Sequence, residues 1–260
     1  YRMMANEIGD ATLIDKVNQA NKLWGNLNTN WYDELLRTAM IHNHSLDISG
    51  GTEKVTYSVG ASYLYQDGIL DAENSYNRLN LRTQADYRVF NWLKVGTNIM
   101  FSNSNQIIPN HTVWLSEFYS NPVAAANYYD SKNKSLRIMP SFYAQLDLLP
   151  DNKLVWKTQY SQDVNIQQVR TFTPEYRVGG TQAASTSTLK KQNDTYWSYI
   201  VDNTLTYKDQ FGDHGLTAML GNSVREQNWR NLWGNATGVP EGFEEYYYLN
   251  QGNADGRTTG

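Results

Sequence analysis

The chain contains no cysteine, which excludes disulfide bridges and thiolate metal sites. It also lacks a run of about 18 apolar residues, so no membrane-spanning helix is expected. Its 22 Lys and Arg are outnumbered by 26 Asp and Glu, and the net charge of −4 argues against a nucleic-acid-binding surface. The chain does not begin with Met and shows no secretory signal, so we expect it to begin inside a larger protein or after processing.

Aromatic residues are abundant, at 13% of the chain with 19 Tyr and 8 Trp, and they occur in alternating patterns. One apolar row contains Val55, Tyr57, Val59, Ala61, Tyr63 and Tyr65. The residues between them are polar apart from Leu64, as expected for a strand with one apolar face. This strand is longer than the usual 5–6 or so residues and suits a bilayer crossing, which takes about 9–11. Gly50 and Gly51 predict a tight turn from a preceding strand.

Six further strands are predicted at 76–89, 93–103, 136–148, 154–168, 195–208 and 216–228. In the first of these, Leu79, Leu81, Thr83, Ala85 and Tyr87 form the apolar row. The opposite row carries Arg78, Arg82, Asp86 and Arg88, and the strand at 154–168 adds Lys157 and Asp163. Burying such charges in a dry core would cost several kcal/mol each, on the order expected for unpaired ions. The charged row must therefore face water.

The connections between these strands alternate in length. The short turns fall at 50–51, 90–92, 150–152 and 210–215, and longer segments lie between them. Aromatic residues flank an aliphatic middle: Tyr87, Phe90, Trp92, Trp156, Tyr207 and Phe211 towards the short turns, and Tyr63, Tyr65, Phe101, Tyr160 and Trp197 towards the other end. Both features are typical of outer-membrane barrels. We predict an all-β protein, a transmembrane antiparallel β-barrel; a soluble β-sandwich or lipocalin-like barrel is the alternative that strand length and the charged row disfavour.

Several segments carry a family resemblance. They are NTNWYDE at 28–34, SGGTEK at 49–54, YLYQDGIL at 63–70 and WLKVG at 92–96. In these segments the chain resembles the SusC/RagA family of TonB-dependent transporters of Bacteroidota. The resemblance is dense over about residues 28–105 and diffuse afterwards.

The resemblance implies about eight strands of a larger, 22-stranded, plugged barrel. Residues 1–38 would form a short helical connector from the plug into the barrel. Residues 39–229 would hold the first eight strands with long extracellular loops, and residues 230–260 would form an extracellular loop of an incomplete barrel. The strands near His44 and Val224 would then be edges. The implied function is import of glycans or peptides across the bacterial outer membrane, energised through TonB and covered by a SusD-like lipoprotein, without cofactor or catalysis. A small non-transporting outer-membrane barrel, an adhesin or an enzyme, is the alternative.

Two groups of candidate site residues follow. Aromatic residues of the long loops are candidates for contact with the lid protein, with ligand or with one another; they are Trp114, Phe118, Tyr119, Tyr128, Tyr129, Trp229, Trp233, Phe243, Tyr246, Tyr247 and Tyr248. The lumen-facing residues Arg78, Arg82, Asp86 and Arg88 are candidates for contact with the plug or with an acidic ligand.

Other chemistry has weaker support in the sequence. His42 and His44 share a strand face as two metal ligands would, but His111 and His214 lie in other segments. The acidic pairs Asp71/Glu73 and Glu244/Glu245 fit solvated loop residues better than catalytic or calcium-binding carboxylates. Ser45 beside His44 shows no arrangement with a general base. No metal site and no catalytic site is therefore predicted.

Overall fold

The computed structural model describes residues 11–24, 30–109, 122–178, 182–242 and 247–260. The chain divides into two units, Tyr1–Leu36 and Arg37–Gly260. The first unit contains α1 (Ala11–Trp24) and α2 (Trp31–Leu35). Asn30 caps α2, because its side-chain oxygen accepts a hydrogen bond from the Tyr32 amide at 3.3 Å. No helix in the described part of the chain is long and apolar enough to cross a membrane.

The second unit is built around one antiparallel sheet. Its strands are β1 (Ile41–Gly51), β2 (Val55–Asp67), β3 (Ser75–Phe90), β4 (Leu93–Ile108), β5 (Asp130–Asp147), β6 (Leu154–Thr173), β9 (Thr188–Phe211), β10 (His214–Thr237) and β11 (Thr258–Thr259). They pair in the order β1-β2-β3-β4-β5-β6-β9-β10-β11. A short helix, α3 (Pro122–Asn127), precedes β5, and a separate hairpin of β7 (Tyr176–Val178) and β8 (Gln182–Ala184) lies between β6 and β9.

The predicted all-β fold with eight long strands is confirmed. The sheet is open, with β1 at one edge. At the other edge, β10 pairs with β11 through Gly234 and Asn235, and Trp233 exchanges two backbone hydrogen bonds with Gly260. The strands that contain His44 and Val224 are therefore edge strands, as predicted.

Several strands are longer than predicted. β9 begins at Thr188 rather than Thr195, and β10 continues to Thr237 rather than to Asn228. Beyond the apolar middle of each strand both faces carry polar residues, so the alternating signal disappears while pairing with the neighbouring strands persists. Trp229 and Trp233 consequently lie in β10 and not in a loop, which corrects the prediction for these two residues.

The prediction of a turn at Gly50–Gly51 is wrong. β1 continues through Gly51, and the chain reverses over residues 52–54. The Thr52 hydroxyl accepts hydrogen bonds from the amides of Lys54 and Val55, both at 3.3 Å, and so closes the turn in the manner of a side-chain cap.

The other short turns lie where they were predicted. The chain reverses at 91–92, at a 3₁₀ turn over Pro150–Asn152, and at 212–213, where Gly212 has a φ of 60°. Beside the second turn, Lys153 Nζ lies 2.7 Å from an Asp209 carboxylate oxygen. That hydrogen bond raises the pKa of Lys153 and ties two neighbouring turns together.

The strands are strongly inclined. Through successive strand pairs the register carries Val55, at the start of β2, to Asn203 in β9. β9 continues for about eight residues beyond Asn203 before it turns after Phe211. Those residues extend about 26 Å along the strand, whereas β2 and β9 lie about 24 Å apart across the sheet. The short turns can share one plane only if the strands tilt by about 45°.

The sheet has one apolar face. Residues directly opposite one another share a face, and the register places Val59, Ala61, Leu81, Ala85, Val95, Ile99, Val201 and Leu220 together, as predicted. Large apolar side chains on this face stay open: Val59 is 50% exposed and Phe142 48%. An apolar surface that spans eight strands and stays uncovered fits a lipid environment rather than water.

Arginine substitution tests the two faces. Val59→Arg places a charge on the apolar face near the middle of the span, where a cost of about 2–4 kcal/mol is expected. Ser58→Arg, one residue earlier on the polar face, should cost far less. The measurement is the free energy of unfolding of the full-length protein in phospholipid vesicles, and equal costs at the two positions would contradict a lipid-facing assignment.

Candidate functional site on the polar face of the sheet

The polar face is covered by a hydrogen-bonded side-chain network. Asn80 donates to the Ser62 hydroxyl at 3.2 Å and accepts from the Ser102 hydroxyl at 2.8 Å, which links β2, β3 and β4. On β5 and β6, Ser141 and Ser161 lie 2.9 Å apart, and Ser135 donates to Asn165 at 2.9 Å. Such a surface meets water or other polar groups without loss of hydrogen bonds.

One glycine lets an ion pair cross a strand. Asp47 on β1 and Arg82 on β3 both lie opposite Gly60 on β2. Their side chains meet above Gly60, with an Arg82 nitrogen 2.8 Å from an Asp47 oxygen. A Cβ atom on Gly60 would lie closer than 3 Å to that oxygen, so the pair needs a glycine there. Both side chains remain more than half exposed, so the ion pair orients them and adds little stability.

A second glycine supports the same arrangement one strand further. Asp86 on β3 and Tyr143 on β5 both lie opposite Gly96 on β4. The Tyr143 hydroxyl donates to Asp86 at 2.5 Å across Gly96, and Lys94 Nζ lies 3.5 Å from the same carboxylate. Lys157 stacks over the Tyr143 ring at 4.8 Å from its centroid. The ring would collide with a Cβ atom at position 96.

The four residues predicted to face the lumen all lie on the polar face. Arg82 and Asp86 belong to the two bridges described above. Arg78 lines a recess of about 290 Å³ together with Asp47 and Arg82. Arg88 lies opposite Lys94 near the short-turn end, which places two cations side by side. The structure therefore brings Arg78 and Arg82 together and leaves Arg88 apart from them.

One of the predicted loop aromatics, Tyr247, packs into a small core at the long-connection end. Tyr247 is 7% exposed and stacks on Phe172 with ring centroids 4.1 Å apart. They share a small core with Leu189, Ala236 and Val239, and burial raises the pKa of the Tyr247 phenol. Tyr247 therefore holds its segment against the sheet.

The remaining loop aromatics are placed differently. Tyr248 is 53% exposed, with Lys191 over its ring at 5.2 Å. Tyr128 stacks on Tyr176 of β7 with ring centroids 4.6 Å apart. Tyr129, directly before β5, is half-buried. Trp114, Phe118, Tyr119, Phe243 and Tyr246 lie outside the described residues.

Sequence reasoning missed a cluster on the upper part of the polar face, meaning the part towards the long connections. Arg137 binds Asp163 through two hydrogen bonds of 2.9 and 2.6 Å. Tyr196 and Ser198 lie on the same face of β9, opposite Asn165 and Asp163 respectively. Polar residues at every second position of 161–167 and 192–198 were a usable signal, but only the register brings them together with Arg137 of β5.

The candidates for other chemistry stay apart. His42 and His44 lie side by side on β1 with ring centroids 6.5 Å apart. Among the described residues no three His, Asp or Glu side chains form a group that could hold a metal ion. Asp71 and Glu73 are exposed in the loop before β3, where Glu73 lies 4.0 Å from Lys132, and Glu244 and Glu245 lie outside the described residues.

Comparison with known proteins shows which proteins this chain resembles. No protein-family model matches the chain. TonB-dependent receptor P3 of Formosa agariphila is 24% identical over 239 residues, which cover 79% of this chain and 23% of that protein. TonB-dependent receptor SusC of Bacteroides thetaiotaomicron is 35% identical over 63 residues, which cover 21% of this chain and 6% of that protein. The chain spans about a quarter of the length of the Formosa receptors P3 and P26.

Solved structures share the fold. The structure of the RagAB peptide transporter matches with a TM-score of 0.74 at 18% identity, over 90% of this chain and 30% of that one. The RagAB peptide importer in its closed-closed state gives a TM-score of 0.73 over the same shares. The open, two-faced antiparallel sheet is thus the wall of a transmembrane β-barrel. The predicted resemblance is confirmed: the chain is SusC/RagA-like, of the TonB-dependent receptor type.

Gly96→Ala tests the glycine-supported bridge. The new methyl group displaces the Tyr143 ring and breaks its bond to Asp86, so we expect a loss of about 1–3 kcal/mol after the intrinsic gain from replacing a strand glycine. Gly221→Ala is the matched control, because Gly221 shares the polar face and a Cβ there meets only ordinary contacts, the nearest at 3.8 Å.

The readout is the thermal unfolding midpoint of the full-length protein in detergent. In a background that carries both Asp86→Ala and Tyr143→Ala the penalty of Gly96→Ala should vanish, since the two side chains that a Cβ at position 96 would meet are then both removed. A penalty that persists in that background would refute the bridge as its cause.

Proposed function

We propose that this chain is part of a TonB-dependent outer-membrane transporter that imports oligosaccharides or peptides and works with a SusD-like surface lipoprotein. The observation that carries the proposal is the continuous polar face across eight strands, backed by an open apolar face. A barrel wall needs this pattern when its lumen is wide and wet or filled by a polar plug. The relatives are named as receptors and the structural neighbours as a peptide transporter, and none of these names denotes an enzyme.

The parts of the chain take the following roles in the proposal. Residues 1–38 connect the plug to the barrel, and β1–β6, β9 and β10 form its first eight strands. The extracellular segment begins at residue 238, because β10 extends to Thr237. The short turns face the periplasm and the long connections face the lipoprotein.

A closed eight-stranded barrel, the alternative with an adhesin or enzyme role, is not favoured. β1 and β10 do not pair with one another in the described sheet. The polar face also carries the ion pairs Asp47–Arg82, Asp86–Lys94 and Asp163–Arg137. A narrow interior packed with side chains would have to desolvate these charges.

The proposal is tested in cells that lack the gene for the full-length protein. Restoring that gene should restore uptake of labelled oligosaccharides or peptides, and a protonophore should abolish the restored uptake. A surface lipoprotein should co-purify with the tagged receptor. Uptake that is unchanged by gene loss, or that persists without a proton gradient, would contradict the proposed transport role.

Two adjacent tyrosines separate partner contact from folding in the same assay. Tyr248→Ala removes an exposed ring, so it should reduce the co-purified lipoprotein while the thermal midpoint stays unchanged. Tyr247→Ala removes a buried ring from the core with Phe172 and should lower the midpoint, as expected for a loss of a few kcal/mol, on the order of 3. An unchanged lipoprotein ratio for Tyr248→Ala would exclude Tyr248 from the lid interface.

A further inference from the structure

One line of directly opposed residues crosses the whole polar face. It contains Ser45, Ser62, Asn80, Ser102, Arg137, Asn165, Tyr196 and Trp229, one from each of the eight long strands. Because the strands are inclined, this line climbs the wall from the middle of the span at β1 and β2 to the upper part at β9 and β10. The end with small polar residues, Ser45 and Ser62, lies nearer the short turns, and the aromatic end, Tyr196 and Trp229, lies nearer the long connections.

The aromatic end combines two rings with fixed polar groups. Trp229 lies opposite Tyr196 and is 66% exposed, so its ring is open to the polar side of the sheet. Tyr196 lies between Asn165 and Trp229 in the register, and Arg225 is on the same face of β10. Next to Tyr196, the bidentate pair of Arg137 and Asp163 presents planar donor and acceptor groups at defined positions.

The neighbouring side chains are amides and carboxylates held by one another. Asp194 accepts hydrogen bonds from Asn231 and from Gln192, and Asn165 accepts from Ser135. On the polar face at 131–141, 161–171, 190–200 and 223–235, the non-aromatic apolar side chains are Met139, Val169 and Ile200. These three lie on three different strands, whereas a site for diverse peptide side chains needs apolar pockets.

A sugar ring matches this composition. It has an apolar face of C–H groups and a rim of hydroxyls that each donate and accept. Aromatic side chains pack on the C–H face with a large contact area at a low entropy cost. Paired planar groups such as a guanidinium and a carboxylate form hydrogen bonds with the hydroxyls. We propose that Trp229 and Tyr196 form a stacking platform for a sugar ring of an oligosaccharide, with Arg137, Asp163 and Arg225 binding its hydroxyls.

This inference rests on the proposed transport function and narrows it to oligosaccharides that enter along this part of the wall. The wall is built from β5, β6, β9 and β10 together, so no single loop could supply it. Trp229 and Tyr196 are the substrate-contacting residues in the proposal.

The test measures binding by calorimetry with purified full-length receptor, independently of transport. The probes are maltoheptaose, laminarihexaose, xylohexaose, a mixture of oligogalacturonides and a tryptic digest of casein. At least one oligosaccharide should bind the wild type, and Trp229→Ala should weaken it by at least about tenfold, as for the loss of an aromatic anchor. Trp229→Phe should retain part of the affinity, because a ring remains.

Trp197→Ala is the matched control, since Trp197 follows Tyr196 in the chain but lies on the apolar face opposite Asn228. Its affinity should equal that of the wild type. Binding of the casein peptides alone, binding of no probe, or equal affinities of Trp229→Ala and Trp197→Ala would overturn the inference. The proposed transport function is tested separately by the uptake assay. Uptake that does not depend on the gene or on the proton gradient would contradict it.

Discussion

Backbone pairing is the constraint on which the rest of this structure depends. Inside a bilayer no water is available to unpaired N–H and C=O groups, so each spanning strand must bond to neighbours on both sides. Here every long strand pairs with its nearest long strands in chain order, and the two edges of the described sheet are left open. Inside the sheet the pairing is interrupted between β5 and β6 at Met139 and Pro140, and it is irregular between Arg88 and Phe90 of β3. Once the backbone is satisfied in this way, side chains alternate strictly between two faces, and each face is free to meet a different solvent.

The two faces solve opposite problems. The apolar face needs no specific contacts, since lipid tolerates any aliphatic or aromatic side chain. The polar face must satisfy many hydrogen-bonding groups at fixed spacing, and adjacent strands lie only about 4.8 Å apart. Gly60 and Gly96 relieve that crowding, because each leaves room for two charged or phenolic groups to meet over a strand. Higher on the wall the same spacing is used for paired amides and carboxylates around Tyr196 and Trp229.

Much of the sheet could be predicted because period-two alternation is strong wherever one face is apolar. The patterns at Val55 to Tyr65 and at Leu79 to Tyr87 predicted these strands and their two faces correctly. The same signal fails where both faces are polar, so the upper ends of β9 and β10, residues 188–194 and 229–237, were taken as loop and Trp229 was misplaced.

Contacts between residues distant in sequence were beyond the reach of pattern reasoning. The stacking of Tyr247 on Phe172 joins the last connection to β6, and the Tyr143–Asp86 bridge depends on a register that no local signal carries. The turn at residues 52–54 was missed for a different reason. Glycine is a stronger turn signal than threonine, so the turn was predicted at Gly50 and Gly51. In the structure the Thr52 hydroxyl accepts the two hydrogen bonds that close the turn.

The central claim is that β2 separates lipid from the barrel interior residue by residue. The chain has no cysteine, so single cysteines at 58, 59, 61, 62, 63 and 64 are unique within it and can carry a nitroxide spin label. In the full-length protein in lipid vesicles, oxygen, which partitions into lipid, should relax labels at Val59, Ala61 and Tyr63 strongly. Labels at Ser58, Ser62 and Leu64 should be relaxed weakly. Leu64 decides the matter, because hydrophobicity alone would place it in lipid whereas its register with Asn43 and Arg78 places it on the polar face. Strong oxygen relaxation at Leu64, or the absence of alternation, would contradict the account.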